Sequence, residues 1–136
     1  LLRHLQKQLG ILLRHAAPEL VHAAEAKMRG EAVNPEIYSE AMRGLTSQPE
    51  GDRLDVVALG CTHFPLVQDE LVKVVPAMRF VDGAAGIARR ITHFTDGQAW
   101  PLEPTAGIFV TTGTFAEAEV LEPALANFGL SKILSL

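Results

Sequence analysis

The chain has very little cysteine, no cluster of basic residues and no long apolar run. Cys61 is its only cysteine, so no internal disulfide can form, and an unpaired thiol suits a reducing compartment such as the cytoplasm. The formal net charge is −4, with Lys and Arg scattered along the chain, which argues against nucleic acid as a partner. The apolar run at residues 56–60 is far shorter than the roughly 20 residues of a membrane span. We therefore expect neither a nucleic-acid nor a membrane partner.

The first residues also lack the features of a targeting segment. There is no initiator Met, no uninterrupted apolar stretch and no small-residue cleavage site, so the sequence predicts no signal peptide and a start that looks like a cut. With 136 residues, 48% of them hydrophobic and 21% charged, the composition is that of a globular protein, and one domain is the first expectation.

Apolar spacing and cap residues predict the elements of the first third. A helix is indicated before Gly10 by apolar residues at helical spacing, and a short strand at 11–13 follows. A second helix is predicted over Glu19–Met28, ended by Gly30. A third is predicted to start with Asn34 as N-cap and to run to about Gly44. The leucines that indicate the first helix are Leu2, Leu5, Leu9 and Leu12.

Strands and helices then alternate along the rest of the chain. The clearest strand, residues 54–60, is almost continuously apolar, which predicts burial on both faces of a parallel sheet. An amphipathic stretch follows Pro65. The remaining predictions are strands at 78–81, 108–111 and 133–136 and helices at 84–94 and 115–128. This alternation predicts an α/β fold.

Cys61, Thr62 and His63 come directly after the clearest strand. In open α/β sheets, ligands bind outside the carboxyl ends of the strands. A thiol near a helix N-terminus is stabilised as thiolate, and His63 could add positive charge or accept a proton. These features make Cys61 a candidate base or nucleophile. The alternative is that Cys61 is a small buried hydrophobe.

The residues of this loop favour some types of reaction over others. A phosphatase loop needs an Arg where Val67 stands, and one Cys with five His residues shows no cluster at metal-ligand spacing. We therefore expect no metal. A Cys-His hydrolase stays open, since the partner can be distant in sequence. Proton transfer at a carbon acid also stays open, although racemising an amino acid without a cofactor needs two acid-base groups, and this chain has one Cys.

Residues 59–66, which read LGCTHFPL, resemble the second-cysteine motif of the glutamate racemases. Residues 80–90 are similar to that family's Val-Asp-Ser-Gly helix entry, and residues 109–113, FVTTG, to its late strand and turn. Residues 18–21, PELV, together with Glu25 are similar to the segment before the catalytic strand. The resemblance extends from about Ala17 to near the end.

The resemblance implies a parallel-sheet sandwich of the aspartate/glutamate racemase type, present here as a fragment. Residues 1–81 would form most of the second racemase domain, including the Cys61 loop, and residues 82–136 would return to the first. It further implies an isomerase that interconverts L- and D-glutamate without a cofactor. Such an enzyme supplies D-glutamate for peptidoglycan in the cytoplasm, and so for the cell wall and cell shape.

The resemblance also assigns roles to residues. Cys61 would remove the α-proton of L-glutamate and protonate the intermediate in the reverse direction. Thr62 and His63 match residues that bind substrate, and His63 also matches the one that assists the thiol. Glu25 matches an acid that orients this His, although a solvated charge on a helix face is an equal alternative.

Some catalytic and substrate-binding residues of the family are missing from this sequence, and their absence indicates which partners to expect. The family's other catalytic Cys, in a Cys-Asn-Thr motif, and an early Asp-Ser pair are absent from this sequence. The expected partners are glutamate and the N-terminal half of the same enzyme, with a homodimer left open. The alternatives are a related racemase or Cys-dependent lyase with another substrate, or a non-catalytic fragment. His63 favours glutamate, because relatives that use other acids tend to have Glu at this place.

Overall fold

The computed structural model describes residues 10–103 and 105–136. The helix predicted from Leu2 to Leu9 lies outside the described residues. The chain divides into two compact units, which we treat separately. The first unit contains the chain up to Ala24 and Val33–Gly83, and the second contains Glu25–Ala32 and Ala84–Leu136.

The first unit combines helices with a pair of parallel strands. Its elements, in chain order, are the start of α1 (Glu19–Met28), α2 (Glu36–Thr46), a 3₁₀ turn (Gly51–Arg53), β1 (Val56–Ala58), a second 3₁₀ turn (Phe64–Val67), α3 (Gln68–Val74) and β2 (Arg79–Val81). Strands β1 and β2 are parallel, with Val57 opposite Phe80. The stretch 11–13, predicted as a strand, has no regular structure. No strand among the described residues pairs with it, so it forms no ladder of hydrogen bonds.

The helix boundaries of this unit follow from local chemistry. After α1 the chain turns at Gly30, whose φ is 72°, a conformation that glycine adopts without steric cost. Before α2, the side-chain oxygen of Asn34 accepts a hydrogen bond from the backbone N–H of Glu36 at 3.0 Å. The predicted end at Gly30 is confirmed, whereas the N-cap of α2 is Pro35 rather than the predicted Asn34, which lies one residue earlier. Helix α2 continues past Gly44 to Thr46.

A single apolar cluster holds the first unit together. Its largest fully buried side chains are Val67 and Leu71, and helices α1, α2 and α3 all contribute to it. Val57 and Leu59 pack into this cluster while Ala58 is exposed. The predicted strand is therefore confirmed at Val56–Ala58 and in its parallel pairing, but the predicted length of 54–60 and burial on both faces are wrong. Val56 and Val57 are half-buried and Ala58 is exposed, so β1 is not covered on both faces by the described residues.

The second unit has the same mixture of elements. It contains α4 (Ala84–Phe94), β3 (Gly107–Thr111), α5 (Phe115–Glu119), α6 (Glu122–Ala126) and β4 (Leu130–Ser135). β3 and β4 are parallel, with an irregular register at Gly107. The helix predicted over 115–128 is wrong as one element, because Pro123 lacks an N–H and its ring collides with the carbonyl four residues earlier. Helix α5 ends at that residue, Glu119.

Burial in the second unit is sparse. Among its described hydrophobic residues, Ala118 and Leu125 are the ones classed as buried. Two apolar faces stay exposed, and we call them the open faces: Ile87, Ile91 and Phe94 on α4, and Ile108, Val110 and Leu134 on the β3–β4 pair. In the part of the chain that the structure describes, no helix is long and apolar enough to cross a membrane.

Candidate active site

The loop that contains Cys61 follows β1 and leads into the second 3₁₀ turn. The backbone N–H of Leu59 donates to the carbonyl of Val81 at 2.8 Å, so pairing with β2 continues just beyond β1. The N–H of Phe64 donates to the carbonyl of Cys61 at 3.2 Å, and that of Leu66 to the carbonyl of His63 at 3.0 Å. These bonds close the loop into tight turns at the carboxyl end of the strand.

Cys61 and His63 are in contact. The Cys61 Sγ lies 3.8 Å from the His63 Nδ1, and both side chains are half-buried. At this distance a thiol can pass its proton to a neutral imidazole, and an imidazolium can return it. The pair can therefore act as a base in one direction and as an acid in the other.

Thr62 lies between them in sequence and is exposed. Its hydroxyl can donate a hydrogen bond to an anionic ligand, and so can an imidazole N–H. The loop thus presents a thiol, an imidazole and a hydroxyl within three consecutive residues. This set suits a small substrate that bears a carboxylate.

Glu25 belongs to the second unit by its contacts, whereas the Cys61 loop belongs to the first. Its side chain is exposed on α1. The hydrogen bond from Arg29 to Glu31 and, to a smaller extent, the negative charge of Glu25 raise the pKa of Arg29. The role of Glu25 in orienting His63 stays a prediction.

A small apolar cavity lies under the loop, and sequence reasoning missed it. It has a volume of about 60 Å³, and its walls include Leu59 and Phe64, the residues on either side of the Cys61 loop. The sequence does contain a signal for Leu59 and Phe64, because both are large apolar residues that flank the polar Cys61 motif. His15 also lines the cavity and was given no role from sequence.

A second hollow shares His15 with this cavity. It is a wide surface groove of about 590 Å³, lined by residues 12–16 and Gln48. Neither Cys61, Thr62 nor His63 lines it. In the described ranges, no group of three or more His, Cys, Asp or Glu side chains is placed to hold a metal ion.

The chain is similar to known glutamate racemases. The chain is 49% identical over 123 residues to glutamate racemase from Sphingopyxis alaskensis, and this match covers 90% of the chain and 46% of the relative. It is 39% identical over 120 residues to glutamate racemase from Salmonella typhimurium, covering 87% of the chain and 42% of the relative. No protein-family model matches the chain.

A solved structure agrees with these relatives. The crystal structure of Escherichia coli glutamate racemase, in complex with L-glutamate and the activator UDP-MurNAc-ala, matches with a TM-score of 0.72 and 37% identity. The match covers 87% of this chain and 44% of that chain. The chain thus spans less than half the length of the curated relatives it matches.

The predicted α/β class is confirmed by this structural match. The assignment of residues 1–81 and 82–136 to two racemase domains stays a prediction. Over about nine-tenths of its length, the chain is similar to part of the glutamate racemases.

Proposed function

We propose that this chain is part of an enzyme that interconverts L- and D-glutamate by proton transfer without a cofactor. The observation that supports this most directly is the 3.8 Å contact between Cys61 and His63, in a chain similar to part of the glutamate racemases. In this proposal Cys61 acts on L-glutamate, Thr62 and His63 bind its polar groups, and Glu25 orients His63.

The reaction needs acid-base groups on both faces of the substrate. The Cys61 thiolate takes the α-proton of L-glutamate, which leaves a carbanion at Cα, and an acid on the opposite face then delivers a proton to give D-glutamate. In the reverse direction the Cys61 thiol donates its proton. His63 is in contact with the Cys61 sulfur and in this proposal accepts its proton and returns it.

The acid on the opposite face requires a second protein segment. Cys61 is the one thiol in this sequence, and the chain matches less than half of each relative's length. The open faces of the second unit support the same idea, because contiguous exposed apolar surface of this kind marks an interaction site. We propose that the partner is a segment equivalent to the remainder of a glutamate racemase.

The product and its location follow from the same proposal. D-Glutamate made here would supply peptidoglycan synthesis and so maintain the cell wall and cell shape. The unpaired thiol that the proposed chemistry requires is kept reduced in the cytoplasm, where we place the enzyme.

The test is a chimaera in which this chain replaces the matching part of the Sphingopyxis alaskensis enzyme. Exchange of the α-proton of L-glutamate in deuterated water is followed by NMR. We expect exchange by the chimaera and none above background by the chain alone. A chimaera that folds and does not exchange the proton would contradict the proposal. Exchange with L-aspartate but not with L-glutamate would favour a related racemase instead.

A second measurement tests the proposed partner. The remainder of the Sphingopyxis alaskensis enzyme is expressed as a separate polypeptide and mixed with this chain. We expect a one-to-one complex and recovery of proton exchange. An active complex of two copies of this chain, formed without the remainder, would instead favour a homodimer.

A further inference from the structure

The residues on either side of the Cys61 loop both contact the apolar cluster of the first unit. Leu59 is 8% exposed and belongs to the core cluster, and Phe64 packs against that cluster. Both side chains line the cavity of about 60 Å³ described above. The polar residues 61–63 therefore lie between two residues that contact the apolar cluster.

These two contacts differ in how tightly they are held. Leu59 is also bound through its backbone to Val81, which fixes it to the strand pair. Phe64 is half-buried and lines the cavity of about 60 Å³, so part of its ring faces empty space instead of packed side chains. The backbone bond from Phe64 N–H to the Cys61 carbonyl then ties the position of this ring to the loop.

His63 directly precedes Phe64, so a shift of the backbone at Phe64 also displaces the imidazole. We infer that Phe64 is a positioning residue that holds His63 against Cys61. The inference rests on the proposed function only for its role in catalysis; the positioning itself concerns the thiol and imidazole of this chain. Truncating the ring would let the turn shift into the cavity and lengthen the contact between the Cys61 Sγ and the His63 Nδ1.

The experiment is a double-mutant cycle on the alkylation of Cys61 by iodoacetamide. Rates are measured at one near-neutral pH in the full chain for the unsubstituted protein, Phe64→Ala, His63→Ala and the double variant. If Phe64 acts through His63, Phe64→Ala lowers the alkylation rate by about fivefold or more when His63 is present. In the His63→Ala background the same substitution changes the rate by less than about twofold. Equal effects of Phe64→Ala in both backgrounds would overturn the inference, and so would no effect in either.

Two further variants separate positioning from loss of packing. Leu45 lines the same cavity from α2, and we expect Leu45→Ala to leave the alkylation rate within about twofold while costing stability. Phe64→Leu keeps an apolar plug, and we expect it to restore most of the rate. Should Phe64→Ala fail to fold, Phe64→Val serves in the same cycle with a coupling of the same sign. A rate loss in Leu45→Ala as large as in Phe64→Ala would mean a structural effect and would overturn the inference.

The alkylation cycle and the proton-exchange test fail independently. A chimaera that does not exchange the α-proton leaves the coupling between Phe64 and His63 measurable in this chain. Conversely, an active chimaera with no such coupling would contradict the positioning role alone.

Discussion

The two units of this chain have similar elements and very different interiors. The first surrounds one cluster in which Val67 and Leu71 are fully buried, whereas the second buries Ala118 and Leu125 and exposes most of its other large apolar side chains. The unit with its own core is also the one that holds the Cys61 loop. A loop whose flanking residues pack into a complete core can keep a thiol and an imidazole at a defined distance.

The same contrast appears in two helices of equal length. Helices α2 and α4 each have 11 residues and an amphipathic pattern. Helix α2 buries Tyr38, Ala41 and Met42, while α4 buries none of its residues. An amphipathic pattern thus predicts that a helix has an apolar face, but not that the same chain supplies what covers it.

The largest expected effect tests this contrast in burial directly. Leu71→Ala removes a side chain that is 1% exposed, and we expect a loss of about 2–5 kcal/mol in the free energy of unfolding. Ile91→Ala on α4 removes one that is 56% exposed, with an expected loss of about 0.5 kcal/mol or less. Urea denaturation followed by circular dichroism measures both. Equal losses would mean that the two units do not differ as described.

A smaller effect concerns backbone packing within the first unit. A Cβ added at Gly51 would lie 2.3 Å from the carbonyl oxygen of Thr46, whereas one at Gly60 would meet nothing within 4 Å. We expect Gly51→Ala to cost about 1–3 kcal/mol, because the backbone must move to relieve the clash. The matched variant Gly60→Ala should change stability by less than about 0.5 kcal/mol. The same urea denaturation assay measures both variants. No change in the free energy of unfolding for Gly51→Ala would show that the turn can accommodate a Cβ at this position.

The smallest effect concerns a local interaction in the second unit. Thr114 and Glu117 form a capping box at the start of α5. Hydrogen bonds from the Thr114 hydroxyl and backbone N–H to the Glu117 carboxylate lower the pKa of Glu117. Because the folded-state pKa lies below the unfolded value, the stabilisation is present above the unfolded value and is lost as the pH falls through the folded one.

Substitution of Thr114 tests this interaction. We expect Thr114→Ala to raise the pKa of Glu117 towards its ordinary value, measured by NMR titration of the side-chain carboxyl. Thr114→Ser keeps the hydroxyl and should keep the pKa low. The pKa of Glu31, which Arg29 lowers, is the internal reference and should not move. An unchanged Glu117 pKa in Thr114→Ala would show that the capping box does not form in solution.

Much of the local structure could be predicted from sequence because its causes are local. Gly30 and the pair Asn34 and Pro35 set the boundaries of α1 and α2, and the order of strand, Cys61 and turn follows from the motif itself. The break at Pro123 and the capping box at Thr114 also have local causes, although the apolar spacing predicts one continuous helix over 115–128.

Other features could not be predicted because they depend on distant contacts. The cavity under Phe64 arises where helices α1 and α2 meet β1 and α3, so no window of sequence reveals it. The partial burial of β1 depends on which elements cover the two faces of its sheet. The spacing of apolar residues shows that the open faces exist, but it does not identify the protein segment that covers them.

The central claim is that Cys61 performs the proton transfer on L-glutamate. Its most direct test is Cys61→Ala in the chimaera, with racemisation of L-glutamate followed by circular dichroism and Thr92→Ala, on an exposed face of α4, as the matched control. We predict that Cys61→Ala folds like the parent and does not racemise, while Thr92→Ala retains the parent's rate. Racemisation by Cys61→Ala at a rate close to that of the parent would contradict the claim.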